Sequence, residues 1–161
     1  MQQKLRTLVD FSVKLLSSGF YSGYVPFMPG TSGTAVGVGV YVLFMPRGLY
    51  GYLAVTMACI VAGIWITGEA ELIYAKKDDQ RIVLDEVAGY LVSMFMLPRT
   101  PEVITAGFVV FRFFDWVKPF PIKKLEEMGG GAGIMADDVM AGVYTCLCLH
   151  TGLHILRISA S

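Results

Sequence analysis

The chain has 161 residues, and its 13 basic and 13 acidic side chains give a formal net charge of zero. Hydrophobic residues make up 55% and charged residues 16%, with a mean hydropathy of +0.59, whereas an ordinary soluble domain carries about 25% charged residues. A nucleic-acid partner that needs a basic face is excluded, and a membrane protein built as one domain over residues 1–161 is the economical expectation.

Residues 1–18 carry Leu5, Leu8, Val9, Val13 and Leu16 at helical spacing, with Lys4, Arg6 and Lys14 among them. This predicts an amphipathic helix, either lying on an anionic membrane surface or packed on the rest of the domain. No continuous apolar core or cleavage site follows the basic residues, so it is not a secretory signal peptide. Residues 19–39 begin as a glycine and proline loop and pass into an apolar run. Pro29-Gly30 marks a turn, and Thr31 or Ser32 is expected to cap the helix that follows. Such a helix start presents unpaired N–H groups to a phosphate, with a plain cap as the competing reading.

Apolar segments follow at roughly 33–45, 49–67, 82–97, 103–117 and 134–156. Only the second and fifth reach the ~20 residues that cross a bilayer as a straight helix. The others fit as partial helices packed within the bundle. If residues 1–30 are cytoplasmic, five crossings place Lys76, Lys77, Arg81, Lys118, Lys123 and Lys124 on the same side. Arg47 and Arg99 lie opposite, with Arg157 beyond the last helix, in agreement with the positive-inside rule. The same arrangement gathers Glu69, Asp78, Asp79, Asp85, Glu86, Asp115, Asp137 and Asp138 at one membrane face. The fold class expected is therefore all-α, a compact bundle of largely membrane-embedded helices with an N-terminal interfacial helix.

Asp85-Glu86 and Asp137-Asp138 each read as opening a helix, and small residues follow at i+4: Gly89, Ala141 and Gly142. Small residues let two helices approach closely, so the four acids can converge. Converging carboxylates repel unless a cation lies between them, and an oxygen-only ligand set favours magnesium over zinc. The competing reading is that the acids complement helix N-termini. Arg112, Asp115 and Lys118 stand three apart on one helical face, where Arg112 offers a fork for phosphate or for Asp115. Pro119 pushes Lys118 out of helical geometry and ends that helix. Cys59, Cys146 and Cys148 read as buried reduced thiols. His150 and His154 lie twelve or more residues beyond Asp138, roughly 18 Å along a straight helix, too far to share a metal with it.

Four stretches, GYVPFMPGTSGT (23–34), DDQRIVLDEVAGY (78–90), FRFFDWVKPFPI (111–122) and GAGIMADDVMAGV (131–143), resemble in order and spacing the phosphatidylglycerophosphatase A family. The likeness runs from Phe20 to Gly152, with Thr34 where the family often has serine and Phe120 where it often has tryptophan. It implies a bacterial inner-membrane enzyme, active at the cytoplasmic face, that removes the terminal phosphate of phosphatidylglycerophosphate with Mg²⁺. On this reading Asp85, Glu86, Asp137 and Asp138 hold the metal. Arg112, Lys118 and the loop of Thr31, Ser32, Gly33 and Thr34 bind phosphate. The nucleophile is a water activated by the metal, or alternatively Asp115 as a covalent acceptor. A cation-coupled transporter would place its acids near the bilayer middle. A head-group transferase would show a spaced Asp and Gly signature that is missing here, and a non-enzymatic assembly protein would leave the acids idle.

Overall fold

The computed structural model describes residues 2–159. They form α1 (Gln2–Ser17), α2 (Pro29–Phe44), α3 (Leu49–Tyr74), α4 (Leu84–Ser93), α5 (Pro101–Val117), α6 (Ile122–Glu126) and α7 (Gly130–Ser159), with a 3-10 turn at Ser22–Tyr24. The architecture is all-helical, as expected. The short α4 sits at the centre, packed on α2, α3, α5 and most extensively on α7.

Two helices, α3 and α7, are long and apolar enough to cross a membrane, and only 17% of the apolar window of each is buried within the chain. A core helix of a soluble protein would bury far more, so these faces belong against lipid. At 1.5 Å per residue α3 is about 39 Å long, more than the ~30 Å hydrocarbon core requires. Both readings of α1 find support, for the helix packs on α3 and leaves an apolar face bare. Residues 2–12 are exposed throughout, and only Val13 and Ser17 are buried against the bundle. Leu5, Leu8 and Phe11 thus form a bare apolar face suited to a membrane interface.

The core is a stack of aromatic rings that ties α4 to its neighbours. Tyr41 of α2 meets Tyr52 and Tyr90 edge-on at 6.4 and 6.2 Å, and Tyr90 meets Phe111 at 6.4 Å. Buried phenols need partners. Tyr52 Oη donates to the Leu91 carbonyl at 2.6 Å and Tyr90 Oη to the Ile104 carbonyl at 3.0 Å.

Two helix starts, those of α2 and α7, differ from the sequence expectation. Helix α2 begins at Pro29 rather than after Thr31 or Ser32. Its N-cap is Met28 in left-handed conformation, and proline at the first helical position supplies a φ already fixed for the helix. Helix α5 begins at Pro101, capped by Thr100, whose Oγ1 accepts from Val103 N. Helix α7 begins at Gly130, so Asp137 and Asp138 lie about two turns inside it rather than at its start. Cys148 is also exposed rather than buried, and Cys59 and Cys146 are half-buried.

The connection from α3 to α4 is held by Asp79 and Arg81. Asp79 is buried, accepting from Arg81 Nε at 2.7 Å and Nη2 at 3.0 Å, and the guanidinium lies over the Tyr74 ring at 4.0 Å. The Arg81 hydrogen bonds hold the Asp79 carboxyl below its ordinary pKa. A depressed folded pKa means that the stabilisation is complete above the unfolded value of about 3.9. It is lost as pH falls through the lower, folded value. Asp79→Asn is therefore expected to lower the melting temperature in detergent at neutral pH, with the gap to wild type closing in strong acid. A gap independent of pH would remove this role.

Candidate active site

The helix ends gather five pieces of chain around one cleft of about 420 Å³. Its walls are Pro26 to Gly30 before and at the start of α2, and Asp78, Gln80 and Ile82 from the α3–α4 connection. Asp85 and Glu86 of α4, Arg112, Asp115 and Lys118 at the end of α5, and Asp137 and Asp138 of α7 complete it.

Helix α4 meets α7 through glycine. A Cβ on Gly89 would stand 2.6 Å from the Asp138 carbonyl oxygen and 2.7 Å from Phe111 Cε2, and one on Gly142 would overlap the Gly89 carbonyl oxygen. This close approach brings the first turn of α4 level with Asp138. One carboxylate oxygen from each of Asp85, Glu86 and Asp138 then lies within 4.8 Å of the others. Asp85 Oδ1 and Glu86 Oε2 are buried without a hydrogen-bond partner among the described residues. Carboxylates that only complemented a helix start would donate nothing to the cleft and would lie open to water. Asp85 and Asp138 are buried and Glu86 half-buried, and the three face one another, an arrangement that costs heavily without a cation.

Asp137 is placed differently from the other three acids. Its Oδ2 accepts from Lys118 Nζ at 2.9 Å, while its Oδ1 is buried and unpartnered. Lys118 also reaches Glu126 at 2.9 Å. Burial opposes the Lys118 charge, but the hydrogen bonds to Asp137 and Glu126 outweigh it and keep the ammonium above the ordinary lysine pKa. As its place before Pro119 predicts, Lys118 ends α5, in left-handed geometry at φ 44°. A lysine there is strained, and the two ion pairs hold it. Arg112 Nη1 lies 2.6 Å from Asp115 Oδ2 and 3.9 Å from Glu86 Oε1, an ion pair that holds the guanidinium at the cleft wall.

The loop residues divide. Gly30 lines the cleft, and a Cβ there would overlap Glu86 Oε1 and stand 2.9 Å from both terminal nitrogens of Arg112. Thr31, Ser32, Gly33 and Thr34 do not line it. Ser32 Oγ donates to the Ser22 and Pro29 carbonyls, Thr34 Oγ1 to the Gly30 carbonyl, and Gly33 is buried. Thr31 Oγ1 is buried without a hydrogen-bond partner among the described residues. His150 turns its Nδ1 to the Cys146 carbonyl at 2.9 Å, well along α7 from the acids. The residues that sequence reasoning did not assign to the site are Gly30, Asp78, Gln80 and Glu126. Gly30, Asp78 and Gln80 stand inside two of the stretches quoted above, whereas nothing local marks Glu126, which is brought to Lys118 by the turn of α6. Burial raises the Asp78 carboxyl, and the Lys118 charge partly offsets this.

A cluster of largely buried acids, flanked by a lysine and an arginine at the end of an apolar bundle, is the equipment of a membrane-associated phosphoric monoester hydrolase. The family model for phosphatidylglycerophosphatase A matches residues 15–153. The chain belongs to the phosphatidylglycerophosphatase A family. It is 35% identical over 140 residues to phosphatidylglycerophosphatase A of Escherichia coli, covering 84% of this chain and 80% of that one. The Haemophilus influenzae protein of the same name is 35% identical over 139 residues, covering 84% and 85%. A Bacteroides thetaiotaomicron protein, named provisionally as a phosphatidylinositol-3-phosphatase, is 35% identical over 148 residues, covering 87% and 92%. No solved structure matches the chain.

Proposed function

We propose that the chain hydrolyses the terminal phosphate of phosphatidylglycerophosphate, giving phosphatidylglycerol, with Mg²⁺ held by Asp85, Glu86 and Asp138 at the cytoplasmic membrane face. The observation that carries this is the trio of carboxylate oxygens within 4.8 Å of one another, two of these side chains leaving a buried oxygen unpartnered. Oxygen donors at this spacing fit a hard divalent cation, which when bound supplies positive charge against the phosphoryl oxygens and acidifies water.

The chain's own groups account for the rest. Arg112 and Lys118 both line the cleft, and their cationic groups suit the phosphoryl oxygens. Asp137, already bonded to Lys118, positions that ammonium and has a second oxygen directed at the site. Asp115, next to Asp138 and paired with Arg112, stands where it can accept the proton of an attacking water or, in the alternative, the phosphoryl group itself. The level of the site supports the membrane-face reading. From Asp138 to Ser159 is about 31 Å along α7, close to the ~30 Å hydrocarbon thickness, so with the far end of α7 at one interface the acids lie at the other. A transporter's acids would sit midway. The excess of Lys and Arg at the acid end, from Lys76 to Lys124, supports a cytoplasmic orientation within a bacterial inner membrane.

The test is phosphate release from short-chain phosphatidylglycerophosphate in detergent. Release is expected to stop on chelation and return with Mg²⁺, with ¹⁸O from water appearing directly in phosphate and no phosphoenzyme on Asp115. Turnover indifferent to chelation would contradict the metal assignment, and a trapped phospho-Asp115 would select the covalent route. Phosphatidylinositol 3-phosphate belongs in the same assay, and a higher kcat/KM for it would replace the proposed substrate.

A further inference from the structure

At the end of the bundle away from the acids, where α2 turns into α3 and α4 passes to α5, lies a second cavity of about 390 Å³. Tyr41, Arg47, Tyr52, Met96, Leu97 and Arg99 line it. Arg99 Nη2 donates to the Met45 and Pro46 carbonyls at 2.8 and 2.9 Å, and its guanidinium stands 4.9 Å from the centre of the Tyr41 ring. The side chain is therefore fixed in place, but by neutral groups.

Among the described residues neither Arg47 nor Arg99 has a carboxylate within 4.0 Å, and no acid lines the cavity. The contrast with the other end is sharp: Arg81, Arg112 and Lys118 are each paired with acids. Arg47 is exposed and Arg99 half-buried, so two guanidiniums without a counter-charge stand open at one cavity, and their planar forks suit phosphate oxygens. The rim supplies the second half of the description. Leu43, Phe44 and Tyr50 stand exposed beside it, an apolar and aromatic border of the kind found where a membrane meets water.

We propose that this cavity binds the phosphodiester head group of a phospholipid, its phosphate between Arg47 and Arg99 and its acyl chains along the apolar rim. The inference rests on α3 and α7 crossing the bilayer and not on the identity of the substrate. Free phosphate shares the oxyanion but makes no use of the rim.

Native mass spectrometry of the detergent-solubilised protein mixed with phosphatidylglycerol, with and without inorganic phosphate, reads this out. Among the described residues the Arg47 side chain makes no hydrogen bond or ion pair, so Arg47→Gln leaves the fold intact. The variant is expected to lose one retained lipid, its apparent affinity falling roughly tenfold. Its rate of phosphate release from the short-chain substrate should equal that of wild type, and millimolar inorganic phosphate should not displace the lipid. Equal lipid retention by wild type and Arg47→Gln overturns the proposal, and so does displacement by inorganic phosphate alone, which would make the site one for a free anion.

Discussion

Asp138→Asn is expected to reduce phosphate release by roughly 10²- to 10³-fold, the scale on which one electrostatic contributor to a transition state is lost. The amide keeps the shape of the carboxylate but gives up its charge, and with it one of the three oxygen donors that stand together. Stability should move the other way. Asp138 is 3% exposed and faces Asp85 and Glu86 across the cleft, so in the absence of a cation its charge is repelled by theirs. A melting temperature equal to or above that of wild type, measured in metal-free detergent solution, is the companion result. Activity lost with stability kept is the mark of a group retained for chemistry. Turnover near the wild-type rate would exclude Asp138 from the site, while a large drop in melting temperature would make its role structural.

Gly89→Ala should damage both properties together. The added methyl would meet the Asp138 carbonyl at 2.6 Å and the Phe111 ring at 2.7 Å, and neither a helix backbone nor a fully buried ring can step aside cheaply. Overpacking of this kind costs about 1–3 kcal/mol. Here it also separates α4 from α7, the two helices whose contact sets the spacing of Asp85 and Glu86 from Asp138. A lower melting temperature is therefore expected with phosphate release reduced at least as much as in Asp138→Asn. Gly39→Ala provides the control, because nothing lies within 4 Å of a Cβ there. Removing that glycine's backbone freedom should leave the helix as stable or slightly more so. If Gly89→Ala behaves like Gly39→Ala, the helices do not depend on this contact.

What could be read from the sequence was what local chemistry dictates. The small residues one turn beyond each acidic pair carried the approach of α4 and α7, and the place of Lys118 before Pro119 carried the end of α5. The all-helical class and the two long spans followed from runs of apolar residues. Helix starts were harder, because Pro29 and Gly130 begin their helices through backbone geometry and not through the side chains that announce a cap. Asp137 and Asp138 looked like twins. A single step along a helix turns a side chain by about 100°, so one points to Lys118 and the other to the α4 acids. Their division of labour depends on which neighbours occupy those two directions, and that is tertiary information. The same holds for Glu126, which reaches Lys118 because the turn at Pro119 to Pro121 leads into α6, packed on α7.

The central claim is that Asp85, Glu86 and Asp138 together hold a divalent cation beside Arg112 and Lys118. Electron paramagnetic resonance of Mn²⁺ titrated into the detergent-solubilised protein tests it without reference to turnover. The account predicts saturable Mn²⁺ binding that Mg²⁺ displaces and that both Glu86→Gln and Asp138→Asn abolish. Binding of Mn²⁺ by both variants with the affinity of the wild type would contradict it.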